Sequence, residues 1–168
     1  TAITCTATDA AGNTAACGFS VTVNDDQAPV VVCPPNIATN SEAGRCDAIV
    51  TFAPTANDNC PGTTVICLPA SGTRFNTGQT VVTCVATDAS GNTNRCTFSV
   101  TVNDLQPPAV TCPANIVTNA APGRCDAVVS FVTSVTDNCA GASVVCTPPS
   151  GTTFQAGSTL VNCVATDA

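Results

Sequence analysis

Cysteine is the residue in this chain best placed to do chemistry, and it recurs on a fixed step. Cys5, Cys84 and Cys163 lie 79 residues apart. Cys17/Cys96, Cys33/Cys112, Cys46/Cys125, Cys60/Cys139 and Cys67/Cys146 keep the same offset. Six cysteines per step point to one small module copied in tandem and stapled by disulfides. Zinc is a poor alternative, because there is no Cys-x-x-Cys, no His and no compact four-ligand cluster. The absence of His also excludes haem attachment through Cys-x-x-Cys-His. Oxidative cross-linking is the chemistry left, and paired thiols at this density imply an extracellular, secreted or cell-surface setting.

Carboxylates are the second candidate group. Asn24-Asp25-Asp26 precedes Pro29, and Asn103-Asp104 precedes Pro107. With Asp58 and Asp137 in a later polar turn, these oxygens could clamp a calcium ion at the joints between modules. Calcium is the one cofactor the residues admit, with Asp25, Asp26, Asp58, Asp104 and Asp137 as candidate ligands; Asp9 and Asp88 could contribute. The competing reading is that Asp and Asn simply form turns, since no spaced EF-hand string is present. Catalysis is not expected: there is no His, Lys or Tyr to activate a nucleophile, and Glu42 is the only Glu. A net charge of −7 with four Arg and no Lys leaves nothing to neutralise a phosphate backbone, so nucleic acid is excluded. No apolar run is long enough to span a bilayer.

The elements that must position these groups are strands. Residues 29–34 form a short extended run ended by Pro34 and Pro35. Cys46, Ala48, Val50 and Phe52 alternate onto one face, as do Cys96, Phe98, Val100 and Val102, the latter pattern recurring at residues 17–23. Further strands are expected at 64–67 and 80–87, with turns at 40–44, 57–62, 71–72 and 88–92. No helical period of useful length occurs. The expected fold is all-β, a tandem of β-sandwich modules of about 79 residues, divided as 1–25, 26–104 and 105–168. That division makes the sequence begin inside one repeat and end inside another, which accounts for the odd total of 13 cysteines. A core with six Phe in all and no Trp or Tyr needs disulfides to offset chain entropy. Six cysteines allow 15 pairings, and sequence alone does not choose among them.

Several strings together resemble the hyalin repeat, or HYR, family. They are Pro34-Pro35-Asn36-Ile37 after a Val-rich strand, Ala56-x-Asp58-Asn59-Cys60, Ser71-Gly72-Thr73-x-Phe75, Thr83-Cys84-Val85-Ala86-Thr87-Asp88-Ala89-Ser90-Gly91-Asn92, and Cys96-x-Phe98-x-Val100-x-Val102. The resemblance covers essentially the whole chain and implies immunoglobulin-like sandwiches in extracellular proteins associated with adhesion and matrix structure, without catalytic residues. The family layout favours Cys33–Cys96, Cys46–Cys60 and Cys67–Cys84, then Cys125–Cys139 and Cys146–Cys163. Cys5, Cys17 and Cys112 would await partners outside this stretch. Cys67 and Cys84 look like additions to the family pattern.

The function expected on these grounds is structural, a stiff stalk, fibre or filament whose partners are other copies of the repeat. Pro-rich joints such as Val102–Pro108 leave little freedom between modules. In one variant, Cys17, Phe19, Val21 and Val23 of one chain complete the sandwich of the next by strand addition, bringing Cys17 towards Cys112. The rival is a calcium-dependent adhesive module that binds a protein or glycan. The loops that differ most between repeats lack aromatic hot-spot residues, which favours the scaffold.

Overall fold

The computed structural model describes all residues, Thr1 to Ala168, and contains strands but no helix. The N-terminal stretch supplies β1 (Ala2–Thr8) and β2 (Thr14–Ser20). The middle stretch supplies β3 (Val30–Val32), β4 (Ile37–Asn40), β5 (Asp47–Val50), β6 (Thr55–Asn57), β7 (Thr64–Leu68), β8 (Thr73–Asn76), β9 (Gly78–Thr87) and β10 (Thr93–Asn103). The C-terminal stretch supplies β11 (Ala109–Thr111), β12 (Asp126–Val129), β13 (Ser134–Thr136), β14 (Ser143–Thr147), β15 (Thr152–Gln155) and β16 (Asn162–Thr166).

The sequence period becomes a structural period. β3 pairs with β6, β5 with β8 and β7 with β9, all antiparallel. One step later β11 pairs with β13, β12 with β15 and β14 with β16 in the same registers. Side-chain bonds repeat as well. The Ser71 hydroxyl accepts from Phe52 N–H at 2.8 Å and donates to its carbonyl at 2.7 Å, and Ser150 does the same for Phe131. The middle stretch alone builds a four-stranded sheet, in the order β4-β10-β9-β7.

Two compact units emerge, and they do not follow the repeat boundaries. The first comprises Thr1–Cys33, Ala53–Leu68 and Thr83–Thr97; the second comprises Pro34–Phe52, Pro69–Val82 and Phe98–Ala168. The first holds the β1–β2 hairpin and the β3–β6 ribbon. Its Cys67 and Cys84 are cross-strand partners joined by a disulfide, and Cys33 is bonded to Cys96. Gly62 adopts φ 109°, where a Cβ would come within 3.1 Å of that of Ala89, so the turn tolerates only glycine without strain.

In the second unit the period-two pattern produces the expected face. Ala48 and Val50 of β5 are buried, as are Phe98, Val100 and Val102 of β10. The Phe52 ring meets Phe98 edge-on at 4.9 Å and Phe75 of β8 at 6.4 Å, linking the β5–β8 ribbon to β10. This is the interior of a β-sandwich. Every buried residue of the chain lies between Pro29 and Val102. The C-terminal stretch has the same inward residues, Ala127, Val129 and Phe154, yet leaves them half-buried. β10 pairs in parallel with β4, whereas residues 116–119, one step after β4, form no strand.

That difference is measurable. Phe75 is 2% exposed, so Phe75→Ala should cost about 3–5 kcal/mol. Phe154→Ala should cost distinctly less. Denaturant unfolding followed segment by segment with hydrogen exchange should show the gap, and equal costs would contradict the account of the core.

Candidate functional site at the repeat boundary

The candidate site sits in the second unit, where the middle repeat meets the next one. Cys46 immediately precedes β5 and is bonded to Cys139 across 93 residues of sequence. The family layout places Cys46 with Cys60 and Cys125 with Cys139, and the structure corrects both pairings. Cys60 lies in the first unit, its N–H donating to Asp58 Oδ2 at 3.0 Å, whereas the turn that reaches Cys46 is the equivalent turn one repeat on. There Cys139 N–H donates to Asp137 Oδ2, also at 3.0 Å. Cys33–Cys96, Cys67–Cys84 and Cys146–Cys163 are joined as the layout implies. Cys5, Cys17, Cys60, Cys112 and Cys125 are unbonded.

Polar contacts tighten the same boundary. The Asn138 amide donates to the Arg45 carbonyl at 2.8 Å and to the Asp104 carboxylate at 3.2 Å. Gly44 N–H donates to Gln106 Oε1 at 3.1 Å, and Ser41 N–H to the Asn103 carbonyl at 2.8 Å. The Asp104 carboxyl is held below its usual range, chiefly by the Gln106 N–H and then by the Asn138 amide. Arg45 and Arg74 both reach Asp47 at 2.7 Å, and Arg74 also reaches Glu42 at 3.0 Å. These pairs are solvent-exposed and contribute orientation more than stability.

The acidic candidates divide between the two units. In the second, carboxylate oxygens of Asp104, Asp137 and Asp167 lie within 4.8 Å of one another. In the first, Asp25, Asp58 and Cys60 form the corresponding group, and Asp26 joins neither. Asp25 Oδ2, Asp137 Oδ1 and Asn138 Oδ1 are buried without hydrogen-bond partners. Three hard oxygens in reach of one ion could supply part of a calcium shell; Cys60 and Cys139 are soft donors unsuited to it. The sequence reading missed Asp167. The signal was present, since Asp167 stands one step after Asp88, already a late-turn candidate. Asp88 itself is 6% exposed. Burial raises its pKa, but hydrogen bonds from Asn92, Ser90 and Gly91 outweigh that and hold the carboxyl low.

The strand-addition candidates are tied down within the chain. Cys17 and Phe19 pair with β1, Cys17 lying opposite Cys5, and Val21 continues the ladder to Thr1 at 2.8 Å. Phe19 is 55% exposed and Val23 89%. The other edge of β2 has no strand beside it.

The family model of the HYR domain matches residues 24–102 and 103–168. The chain belongs to the HYR domain family. Its HYR repeats are similar to hyalin of Strongylocentrotus purpuratus, at 37% identity over 99% of this chain and 15% of that protein. They are also similar to hyalin of Lytechinus variegatus, at 36% identity over 96% of the chain and 32% of the relative. A third relative is the sushi, von Willebrand factor type A, EGF and pentraxin domain-containing protein 1 of Rattus norvegicus, at 35% identity over 85% of the chain and 4% of that protein. The chain thus spans a minor part of each. No solved structure matches it.

Cys60 offers a check on the geometry of the HYR turn. Its thiol pKa is raised, first by hydrogen bonding with Asp25, then by burial and by the charges of Asp25, Asp58 and Asp88. A raised pKa leaves less thiolate at neutral pH, and the thiolate is the nucleophile. Cys60 should therefore be the slowest of the five free thiols to react with iodoacetamide, and Asp25→Asn should speed it relative to Cys112. Equal rates by peptide mapping would contradict the arrangement.

Proposed function

We propose that this chain is a length of extracellular stalk or filament in which consecutive HYR sandwiches are locked end to end. The observation that carries the reading is the second compact unit, which includes residues on both sides of a repeat boundary and holds the Cys46–Cys139 bond within it. A joint closed by a covalent bond, the Asn138 amide and the Gln106 side chain has few free torsions left. Disulfides, and relatives named hyalin, support an extracellular place for it. No helix is long and apolar enough to cross a membrane. The role needs no catalysis, and its partners are further copies of the repeat. They stand in tandem on one backbone or meet head to tail through the free edge of β2, where a segment like Ile37–Asn40 could pair as it does with β10.

A calcium-dependent adhesive role is the second reading. It rests on the Asp104, Asp137 and Asp167 cluster, in which Asp137 Oδ1 is buried without a hydrogen-bond partner. Calcium at a hundred times its dissociation constant would add about 2.7 kcal/mol to the stability of the joint.

Electron microscopy of concatenated copies that keep the 79-residue step tests both. Straight rods whose length grows in proportion to repeat number are expected, and freely jointed chains would overturn the stalk. Repeating the images and a thermal melt with chelator separates the readings. A melt lowered by chelator, and restored to insensitivity by Asp137→Asn, would favour the calcium joint; no shift would remove it.

A further inference from the structure

Five cysteines are unbonded, and each stands one or two steps from a residue whose bond the structure shows. Cys112 is the counterpart of Cys33, Cys17 of Cys96 and Cys5 of Cys84, all three of which bond within a repeat. Cys60 and Cys125 are different. Cys125 is the counterpart of Cys46 and Cys60 the counterpart of Cys139, the two ends of the bond that crosses a boundary.

Both are held in the geometry of the formed bond. Cys125 follows Arg124, which clasps Asp126 at 2.6 and 2.8 Å, as Arg45 clasps Asp47 at 2.7 and 2.8 Å. The Cys125 carbonyl accepts from Ala156 N–H at 2.7 Å, as the Cys46 carbonyl accepts from Thr77 at 3.1 Å. Cys60 and Cys139 are each pinned through their N–H to the preceding Asp at 3.0 Å. Each free thiol is thus presented where its bonded counterpart is.

From this we infer that Cys60 and Cys125 are the two halves of a repeat-to-repeat disulfide, and that the ligand each takes is the complementary half of a neighbouring HYR repeat. Every junction of an array would then carry one cross-boundary bond beside the peptide backbone. Closing it oxidises two thiols to a disulfide. Two protons and two electrons leave, and an oxidant of the disulfide class, such as glutathione disulfide, takes them up and departs as two thiols. The inference rests on the stalk reading but can fail separately from it, since straight rods with bonds confined to single repeats would keep the stalk and discard the staple.

The experiment uses the full chain followed directly by residues 11–168 of a second copy, so that the step stays unbroken through the join. After oxidation in a glutathione buffer, thiols are counted and mapped by alkylation. The expected count is five, comprising Cys5, Cys17 and Cys60 of the first copy with Cys112 and Cys125 of the second, the same types that are free in the single chain. Roughly three would mean that bonds close within repeats, and about seven that the two halves do not meet; either overturns the inference. Cys60→Ser in the second copy sharpens it. A newly alkylated Cys125 in the first copy is expected. A newly alkylated Cys46 in the second copy, or no new thiol, would overturn the proposal.

Discussion

A repeat of this family closes its core where its β4 and β10 pair, and that constraint shapes the rest of the structure. The inward face depends on Phe52, Phe75 and Phe98, with small residues such as Ala48 filling the remainder. Such a core removes little apolar surface from water, at about 25 cal/mol per Å², against an ordering cost of more than 1 kcal/mol per residue. Covalent closure tips the balance. In the chain-entropy picture, Cys33–Cys96, spanning 63 residues, contributes about 4 kcal/mol. Cys67–Cys84, spanning 17, contributes about 3 kcal/mol.

The same constraint explains why only the middle repeat is buried. It alone contains β4 and β10 together, and their parallel pairing adds the fourth strand of the sheet. In the C-terminal repeat the inward residues stay half-buried although their registers are intact. Stability in such an array is a property of neighbours as well as of single modules. The Cys46–Cys139 bond and the Asn138 contacts place part of that coupling at a repeat boundary.

Much of this was legible in the sequence. Alternation at Ala48-Val50-Phe52 and Phe98-Val100-Val102 gave the buried faces, and the step of 79 residues gave the repeated registers. Short strands such as β4 and β8 were not visible, because three or four residues carry too little period to separate them from loop. The partner of Cys46 was hidden for a deeper reason. Cys60 and Cys139 are the same position modulo the repeat, so a bond within a module and a bond between modules leave identical patterns in the sequence. Only the spatial arrangement of the two turns distinguishes them. The acidic cluster was half legible, since Asp104 and Asp137 were candidates, while Asp167 enters directly after β16.

The cross-boundary bond is therefore the central claim, and the arginines of the chain make it testable. Cleavage of the unreduced chain after Arg45, Arg74, Arg95 and Arg124 separates residues 46–74 from residues 125–168. Mass spectrometry should find those two peptides joined, with 75–95 attached through Cys67–Cys84. Peptide 125–168 recovered on its own, with 46–74 linked only to 75–95, would show each repeat bonded to itself and would contradict the account.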